Sequence, residues 1–139
     1  MAKLTILCVD DEKMILDSLK TQLKTNFGTR YLYEMAENAD DAMEVIDEIS
    51  EDGMDVLVIV SDWLMPRVKG DEFLIRVHEK YPNIVKVMLT GQADEEAVER
   101  ARKHANLHRC IRKPWTAEEL VETIKSGIAT LEAQATSAS

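Results

Sequence analysis

The sequence has few cysteines and no long apolar run. Its two cysteines, Cys8 and Cys110, lie in different apolar segments and form no C-x-x-C pair, so we expect reduced thiols in a cytosolic protein. No stretch approaches the roughly 18 apolar residues that a membrane span needs. The N-terminus passes directly into a strand-like run and shows no separate apolar core of a signal peptide. These features predict a cytoplasmic protein without a membrane segment.

Basic residues are fewer than acidic ones, 17 Lys and Arg against 26 Asp and Glu, which gives a formal charge of −9. Nucleic-acid binding depends on clustered Lys and Arg that contact phosphates, so we expect no direct binding of nucleic acid. The excess of carboxylates is compatible with a site for a divalent cation. A chain of 139 residues suits one domain and can bury about two-thirds of its unfolded surface without disulfides or a structural metal.

Strand-like and helical patterns alternate along the chain. The predicted strands are Leu4 to Val9, Tyr31 to Ala36, Val56 to Val60, Ile84 to Leu89 and Leu107 to Ile111. Helical patterns follow each strand, with Asn38 as the cap of the second helix and Thr116-x-x-Glu119 as a capping box before the last. We place one domain at residues 1–131 and a flexible tail or linker, rich in Ala, Ser and Thr, at residues 132–139.

Five β–α pairs in strict alternation predict an α/β fold, a doubly wound parallel sheet of five strands with helices on both faces. In such folds, ligands bind at the carboxyl ends of the strands, near the point where the strand order reverses. Polar residues lie at four of these ends. Asp10 and Asp11 follow the first strand, Asp62 the third, Thr90 the fourth and Lys113 the fifth.

The residue types at these strand ends suit phosphoryl transfer. Three carboxylates in one cleft raise each other's pKa unless a cation neutralises them, and oxygen ligands select Mg²⁺ or Mn²⁺. A metal and the Lys113 ammonium would spread the charge of a phosphoryl group, the Thr90 hydroxyl would add a hydrogen bond, and a carboxylate can accept the group. Each residue alone has an ordinary structural explanation, as a turn, a helix cap or a solvated charge. Their joint position favours the functional interpretation.

Over roughly residues 3–130 the sequence resembles the receiver domains of bacterial two-component response regulators. The matching pieces, in chain order, are Ile-Leu-Cys-Val-Asp10-Asp11-Glu, Val-Ser-Asp62-Trp-Leu-Met-Pro66, Gly70, Met-Leu-Thr90-Gly and Lys113-Pro114. Each piece is a weak signal alone, whereas the ordered set is specific. The resemblance implies the flavodoxin-like strand order 2-1-3-4-5.

The resemblance also implies roles for the carboxylates. Asp62 would be the phosphoacceptor, taking the group from a phosphohistidine of a sensor histidine kinase or phosphotransfer protein, or from a small acyl phosphate. Asp10, Asp11, Asp62 and the backbone carbonyl of Leu64 would hold Mg²⁺, with Asp10 acting through water. The protein would then be a signalling protein with self-catalysed phosphotransfer rather than an enzyme.

Two further residues have roles that only the resemblance implies. Lys113 would bind a phosphoryl oxygen and would be fixed in place by a cis bond to Pro114. Thr90 would move toward the phosphoryl group and report its arrival to the surface of the fourth helix and fifth strand. That surface would act on an output domain or effector protein.

Three positions in the sequence bear on switching and on the lifetime of the phosphorylated state. Receivers commonly carry Tyr or Phe three residues before the lysine, where this chain has Cys110, which we expect to be a buried thiol without a redox role. In this family the side chains two residues after the acceptor and two after the threonine flank the approach of a hydrolytic water. Here they are Leu64 and Gln92, neither of which is a general base, so we expect slow autodephosphorylation.

Three alternative functions remain to be weighed against a receiver. A phosphatase of the haloacid-dehalogenase type expects a second Asp two residues after the nucleophile, where this chain has Leu64. A flavodoxin-like FMN carrier needs a phosphate-binding loop of Ser, Thr and Gly after the first strand, where this chain has Asp10 and Asp11. A degenerate receiver that only binds proteins would lack some of the site residues, all of which are present.

Overall fold

In the computed structural model, residues 4–91 and 95–138 are described. The strands are β1 Leu4–Val9, β2 Tyr31–Ala36, β3 Val56–Asp62, β4 Val85–Thr90 and β5 Arg109–Arg112. The helices are α1 Lys13–Phe27, α2 Ala39–Glu51, α3 Gly70–Lys80, α4 Glu95–Ala105 and α5 Ala117–Ala138. The sheet is parallel throughout, with the order β2-β1-β3-β4-β5, which confirms the predicted fold and strand order.

Helices cover both faces of the sheet. The apolar residues of α1 and α5, such as Leu19 and Ile124, pack with Ile6 on one face. The residues of α2, α3 and α4 pack on the other face, where Phe73 and Met88 are fully buried. Because both faces of the central strands are covered, β1, β3 and β4 are almost continuously apolar, as the sequence pattern indicated.

Both predicted helix caps form. The side chain of Asn38 accepts a hydrogen bond from the Asp41 backbone N–H at 2.8 Å, and the Thr116 hydroxyl accepts one from the Glu119 N–H at 3.1 Å. These contacts satisfy backbone donors that a helix leaves without an intrahelical partner. They fix where α2 and α5 begin relative to the strands that precede them.

Some element boundaries differ from the sequence-based expectation. Strand β3 continues through Asp62, which pairs with Leu89 of β4. Strand β5 begins at Arg109 and not at Leu107, because the Leu107 N–H bonds back to the Ala101 carbonyl of α4 at 3.2 Å. Helix α5 continues beyond residue 131, so residues 132–138 are helical in their backbone. The division of the chain at residue 131 stays a prediction.

Candidate functional site

Three carboxylates meet at the carboxyl edge of the sheet. Asp10 and Asp11 directly follow β1, and Asp62 ends the neighbouring strand β3. One carboxylate oxygen of each lies within 4.8 Å of the others, and Asp11 is exposed whereas Asp10 and Asp62 are buried. The sequence-based expectation that parallel strand ends bring these residues together is therefore met.

Lys113 lies between two of these carboxylates. Its ammonium donates hydrogen bonds to Asp62 Oδ1 and Asp10 Oδ2, both at 3.1 Å. The Lys113 backbone N–H donates to the Thr90 carbonyl at 2.8 Å, and the bond to Pro114 is cis, as the resemblance implied. The loop after β5 is thus tied to the end of β4, and the lysine side chain reaches across β4 to β3 and β1.

The electrostatics of the site favour an additional cation. Burial, and then the charge of Asp10, raises the pKa of Asp62 above its ordinary value, although Lys113 acts in the opposite direction. Burial alone would lower the pKa of Lys113, but its contacts with Asp62 and Asp10 raise it overall. One ammonium does not balance three carboxylates, and their oxygens are the ligands that Mg²⁺ prefers. The donor set therefore fits a magnesium ion.

Thr90 is the last residue of β4 and is buried beside this cluster. The preceding residue Leu89 pairs with Asp62 and accepts a hydrogen bond from the Trp63 N–H at 2.9 Å. The ends of β3 and β4 are consequently held side by side. This placement agrees with the predicted position of Thr90 next to the acceptor.

Gly70 has a role that the sequence analysis did not assign. A Cβ atom at this position would lie 2.2 Å from the carbonyl oxygen of Asp62 and 2.8 Å from the Cα of Trp63. The Gly70 N–H also donates to the Trp63 carbonyl at 2.7 Å. Residues 63–69 therefore form a loop that closes tightly on the backbone of the predicted acceptor, and only glycine permits that approach.

In the loop between β3 and α3, Trp63 is buried and Leu64 is exposed. Trp63 is buried, its indole N–H has no hydrogen-bond partner among the described residues, and the Lys69 ammonium lies 5.2 Å from its ring centroid. Leu64 is 54% exposed. The assignment of the Leu64 carbonyl to the metal stays a prediction. Gln92, the other predicted flanking residue, lies outside the described residues.

An ion pair next to this loop, between an exposed arginine and a buried aspartate, was also missed from the sequence. Asp71 in the first turn of α3 is buried, and its carboxylate accepts a hydrogen bond from the Arg100 guanidinium of α4 at 2.9 Å. The two residues are 29 positions apart, and neither belongs to a recognisable short motif. The pair joins the start of α3 to α4.

Cys110 is half-buried rather than fully buried as expected. Burial raises the pKa of its thiol. The residue lines a cleft of about 370 Å³ between α4 and β5, together with Thr90, Glu95, Val98, Glu99, Arg102 and Arg112. Cys8 is fully buried in β1, and burial raises its pKa to about 12. Neither thiol has the lowered pKa of a reactive cysteine.

Known proteins have sequences and folds similar to those of this chain. The chain matches the family model of the response regulator receiver domain over residues 6–125. A chemotaxis protein CheY homolog of Campylobacter jejuni is 28% identical over 127 residues, which are 90% of this chain and 92% of that protein. The solved CheY-like receiver domain protein of Methanospirillum hungatei is similar with a TM-score of 0.84 at 28% identity, covering 96% of this chain and 99% of that one.

A second kind of relative is much longer than this chain. The hydrogenase transcriptional regulatory protein HoxA of Cupriavidus necator is 32% identical over 124 residues, which are 89% of this chain and 24% of that protein. The chain thus spans about a quarter of the length of the HoxA regulators that it matches. In the described part of the chain, no helix is both long enough and apolar enough to cross a membrane. By its fold, its site and the match over most of its length, the chain belongs to the response regulator receiver domain family.

Proposed function

We propose that this receiver domain accepts a phosphoryl group on Asp62 in the presence of Mg²⁺ and so regulates an output domain or effector protein. The observation that carries the proposal is the contact of Asp62 Oδ1 with the Lys113 ammonium at 3.1 Å, beside the carboxylates of Asp10 and Asp11. This arrangement supports the proposal because a carboxylate oxygen lies next to a positive charge and to two further carboxylates that could bind a metal.

Mg²⁺ would be held by Asp10, Asp11, Asp62 and the backbone carbonyl of Leu64. When bound, the ion supplies positive charge that offsets the negative oxygens of the phosphoryl group. Its presence would also relieve the repulsion that raises the pKa of Asp62, and so keep the carboxylate ionised and nucleophilic.

The transfer itself exchanges one bond of phosphorus for another. An oxygen of Asp62 forms the new P–O bond while the P–N bond of a phosphohistidine on a sensor histidine kinase or phosphotransfer protein breaks. The leaving imidazole keeps the electron pair and then takes up a proton. Lys113 would move from Asp62 to a phosphoryl oxygen, and the hydroxyl of Thr90 would donate a hydrogen bond to another.

Longer relatives support an action through a partner or an attached domain. HoxA is by its name a transcriptional regulator, and the region similar to this chain is about a quarter of it. We propose that this chain acts on an output domain or effector and does not itself contact nucleic acid, in keeping with its charge of −9. Two unpaired thiols agree with a cytoplasmic location.

The test is phosphorylation of the whole chain by acetyl phosphate and Mg²⁺, followed by intact mass and peptide mapping. We expect one phosphoryl group per chain on Asp62 and none in Asp62→Asn. Asp47→Asn is the matched control, because Asp47 binds Lys80, the last residue of α3, and the following Tyr81 rather than the site. Phosphate retained in Asp62→Asn, or mapped to Ser or Thr, would overturn the assignment. A chain that accepts no phosphate from acetyl phosphate or a histidine kinase would instead be a degenerate receiver.

A further inference from the structure

Lys86 is a buried lysine that the phosphoryl site does not use. It lies in β4 with 1% of its surface exposed. Its ammonium is 2.8 Å from the Ile84 carbonyl, 3.0 Å from Nδ1 of His78 and 3.4 Å from the Pro82 carbonyl. Within residues 4–91 and 95–138, no carboxylate pairs with it. A buried ammonium without a counter-ion is unusual, because burial strongly disfavours its charge.

The hydrogen bonds of this lysine determine the protonation state of His78. An ammonium has three N–H donors and no acceptor, and it is surrounded by three acceptors. Nδ1 of His78 must therefore offer a lone pair, which places the ring proton on Nε2. A protonated imidazole carries N–H groups on both nitrogens. Protonation of His78 and its hydrogen bond from Lys86 thus exclude each other.

We propose that the Lys86–His78 hydrogen bond is a proton-sensitive latch between β4 and the C-terminal end of α3. A neutral imidazole keeps the latch closed. Uptake of a proton by His78 opens it, because two positive charges then face each other and the acceptor is lost. The ring, which is half-buried, turns toward solvent at the end of α3. A positive charge at a helix C-terminus is favourable there, so the open form is reachable without unfolding.

The other charged groups around the latch do not offset the repulsion between a protonated His78 and Lys86. On α2, Asp47 is already bound to Lys80 and Tyr81. The charged or titratable residues in the last turn of α4 are all basic, namely Arg102, Lys103 and His104. The strand β3 has no charged residue before Asp62 at its far end. Asp55, which precedes β3 and lines a cleft with Lys80 and Ile84, and Glu79, which follows His78 on α3, form no ion pair with His78 or Lys86 among the described residues. The pKa of His78 is shifted by burial and by the charge of Lys86.

The direction of both pKa shifts agrees with this geometry. Burial, together with the charge of Lys86, lowers the pKa of His78 below its ordinary value. Burial lowers the pKa of Lys86 to about 8. At neutral pH the lysine is therefore largely charged and the histidine neutral, which is the closed state. Acidification below the ordinary range of histidine opens the latch.

The opening is local because α3 keeps other attachments. The hydroxyl of Tyr81, the residue after α3, still binds Asp47 of α2. The part released is the last turn of α3, which loses its hydrogen bond to β4 through His78, whereas the Pro82 and Ile84 carbonyls keep their contacts with the lysine ammonium. The proposal is independent of phosphorylation, since none of these residues belongs to the site around Asp62.

The first test follows the histidine rings of the full chain by nitrogen-15 NMR as the pH is lowered. At neutral pH we expect the His78 proton on Nε2, and in Lys86→Met we expect the titration of His78 to shift upward. His104, which is exposed on α4, is the internal control, and the Lys86→Met substitution should leave its ring signals unchanged. A proton on Nδ1 at neutral pH, or an unchanged His78 titration in Lys86→Met, would overturn the proposal.

The second test measures amide hydrogen exchange in the last turn of α3 above and below the His78 titration, corrected for intrinsic rates. We expect faster exchange in acid for the wild-type chain and no such acceleration in His78→Gln. Glutamine keeps a hydrogen-bond acceptor but does not titrate. Equal acid-induced acceleration in His78→Gln would show that another group causes the opening. This variant decides the matter even if Lys86→Met fails to fold.

Discussion

The Lys113 ammonium contacts Asp62 Oδ1 at 3.1 Å, yet the pKa of Asp62 is raised. Burial and the charge of Asp10 thus outweigh the lysine. A carboxyl group whose folded pKa exceeds its unfolded pKa binds more protons in the native state, so its contribution to stability falls as the pH rises through that range. An ionised Asp62 therefore costs stability at neutral pH when Mg²⁺ is absent.

The first prediction is that Asp62→Asn melts at a higher temperature than the wild type at neutral pH without Mg²⁺. The difference should shrink in acid, where the wild-type carboxyl is protonated, and also when Mg²⁺ is added. Thermal unfolding across the pH range measures this. Asp47→Asn should behave in the opposite way, because contacts with Lys80 and Tyr81 lower the pKa of Asp47. A neutral-pH loss of stability in Asp62→Asn would contradict the argument.

The second prediction concerns the metal ligands. Trp63 directly follows Asp62 and is buried, so its fluorescence should respond to Mg²⁺ at concentrations on the order of millimolar. The measurement uses the Trp115→Phe background to remove the other indole. We expect Asp11→Ala to abolish the response, whereas Asp17→Ala, which removes an exposed carboxylate of α1, should leave it intact. An unchanged response in Asp11→Ala would exclude Asp11 as a ligand.

The third prediction tests the close approach at Gly70. In Gly70→Ala the new methyl would meet the Asp62 carbonyl oxygen at 2.2 Å, and backbone cannot give way as a flexible side chain can. We expect a loss of about 1 to 3 kcal/mol in the free energy of unfolding, and slower phosphorylation because the clash displaces the acceptor. Denaturant unfolding measures the first effect. Gly91→Ala is the control, since no atom of the described residues lies within 4 Å of its added methyl, and equal losses in both variants would contradict the prediction.

The strand ends of this fold could be predicted because they depend on local patterns. The apolar runs of β1, β3 and β4 indicated the buried strands, and the strict alternation of strand and helix patterns predicted a parallel sheet. The position of Asp10, Asp62 and Thr90 at one edge then followed from topology. The start of β5 was predicted too early because Leu107 is a buried apolar residue that fits a strand pattern. Its N–H instead donates a hydrogen bond to the Ala101 carbonyl of α4.

The contacts that could not be predicted join residues that are distant in the sequence. The Asp71–Arg100 pair and the Lys86–His78 bond depend on how α3 packs on α4 and β4, and no periodicity records such packing. Gly70 could be matched as a motif position from the sequence. The reason that glycine is needed there, its close approach to the Asp62 carbonyl, is visible only in the three-dimensional structure. Sequence patterns therefore predicted that Asp10, Asp62 and Thr90 lie at one edge of the sheet, but not the contacts that support this edge.

The last prediction concerns the lifetime of the phosphorylated state. Hydrolysis requires a water opposite the Asp62 oxygen, and the family resemblance places Leu64 and Gln92 beside its path. Neither side chain is a base at neutral pH, and a positioned general base is worth about 10²-fold or more in rate. We expect decay over minutes to hours after removal of the phosphodonor, and faster decay when Leu64→Asn is combined with Gln92→Glu. Leu64 is 54% exposed, so its replacement should not disturb the fold, and Leu32→Asn, at another exposed leucine, controls for surface effects. A wild-type half-life of seconds, or a double variant that decays no faster, would show that these two positions do not control the water.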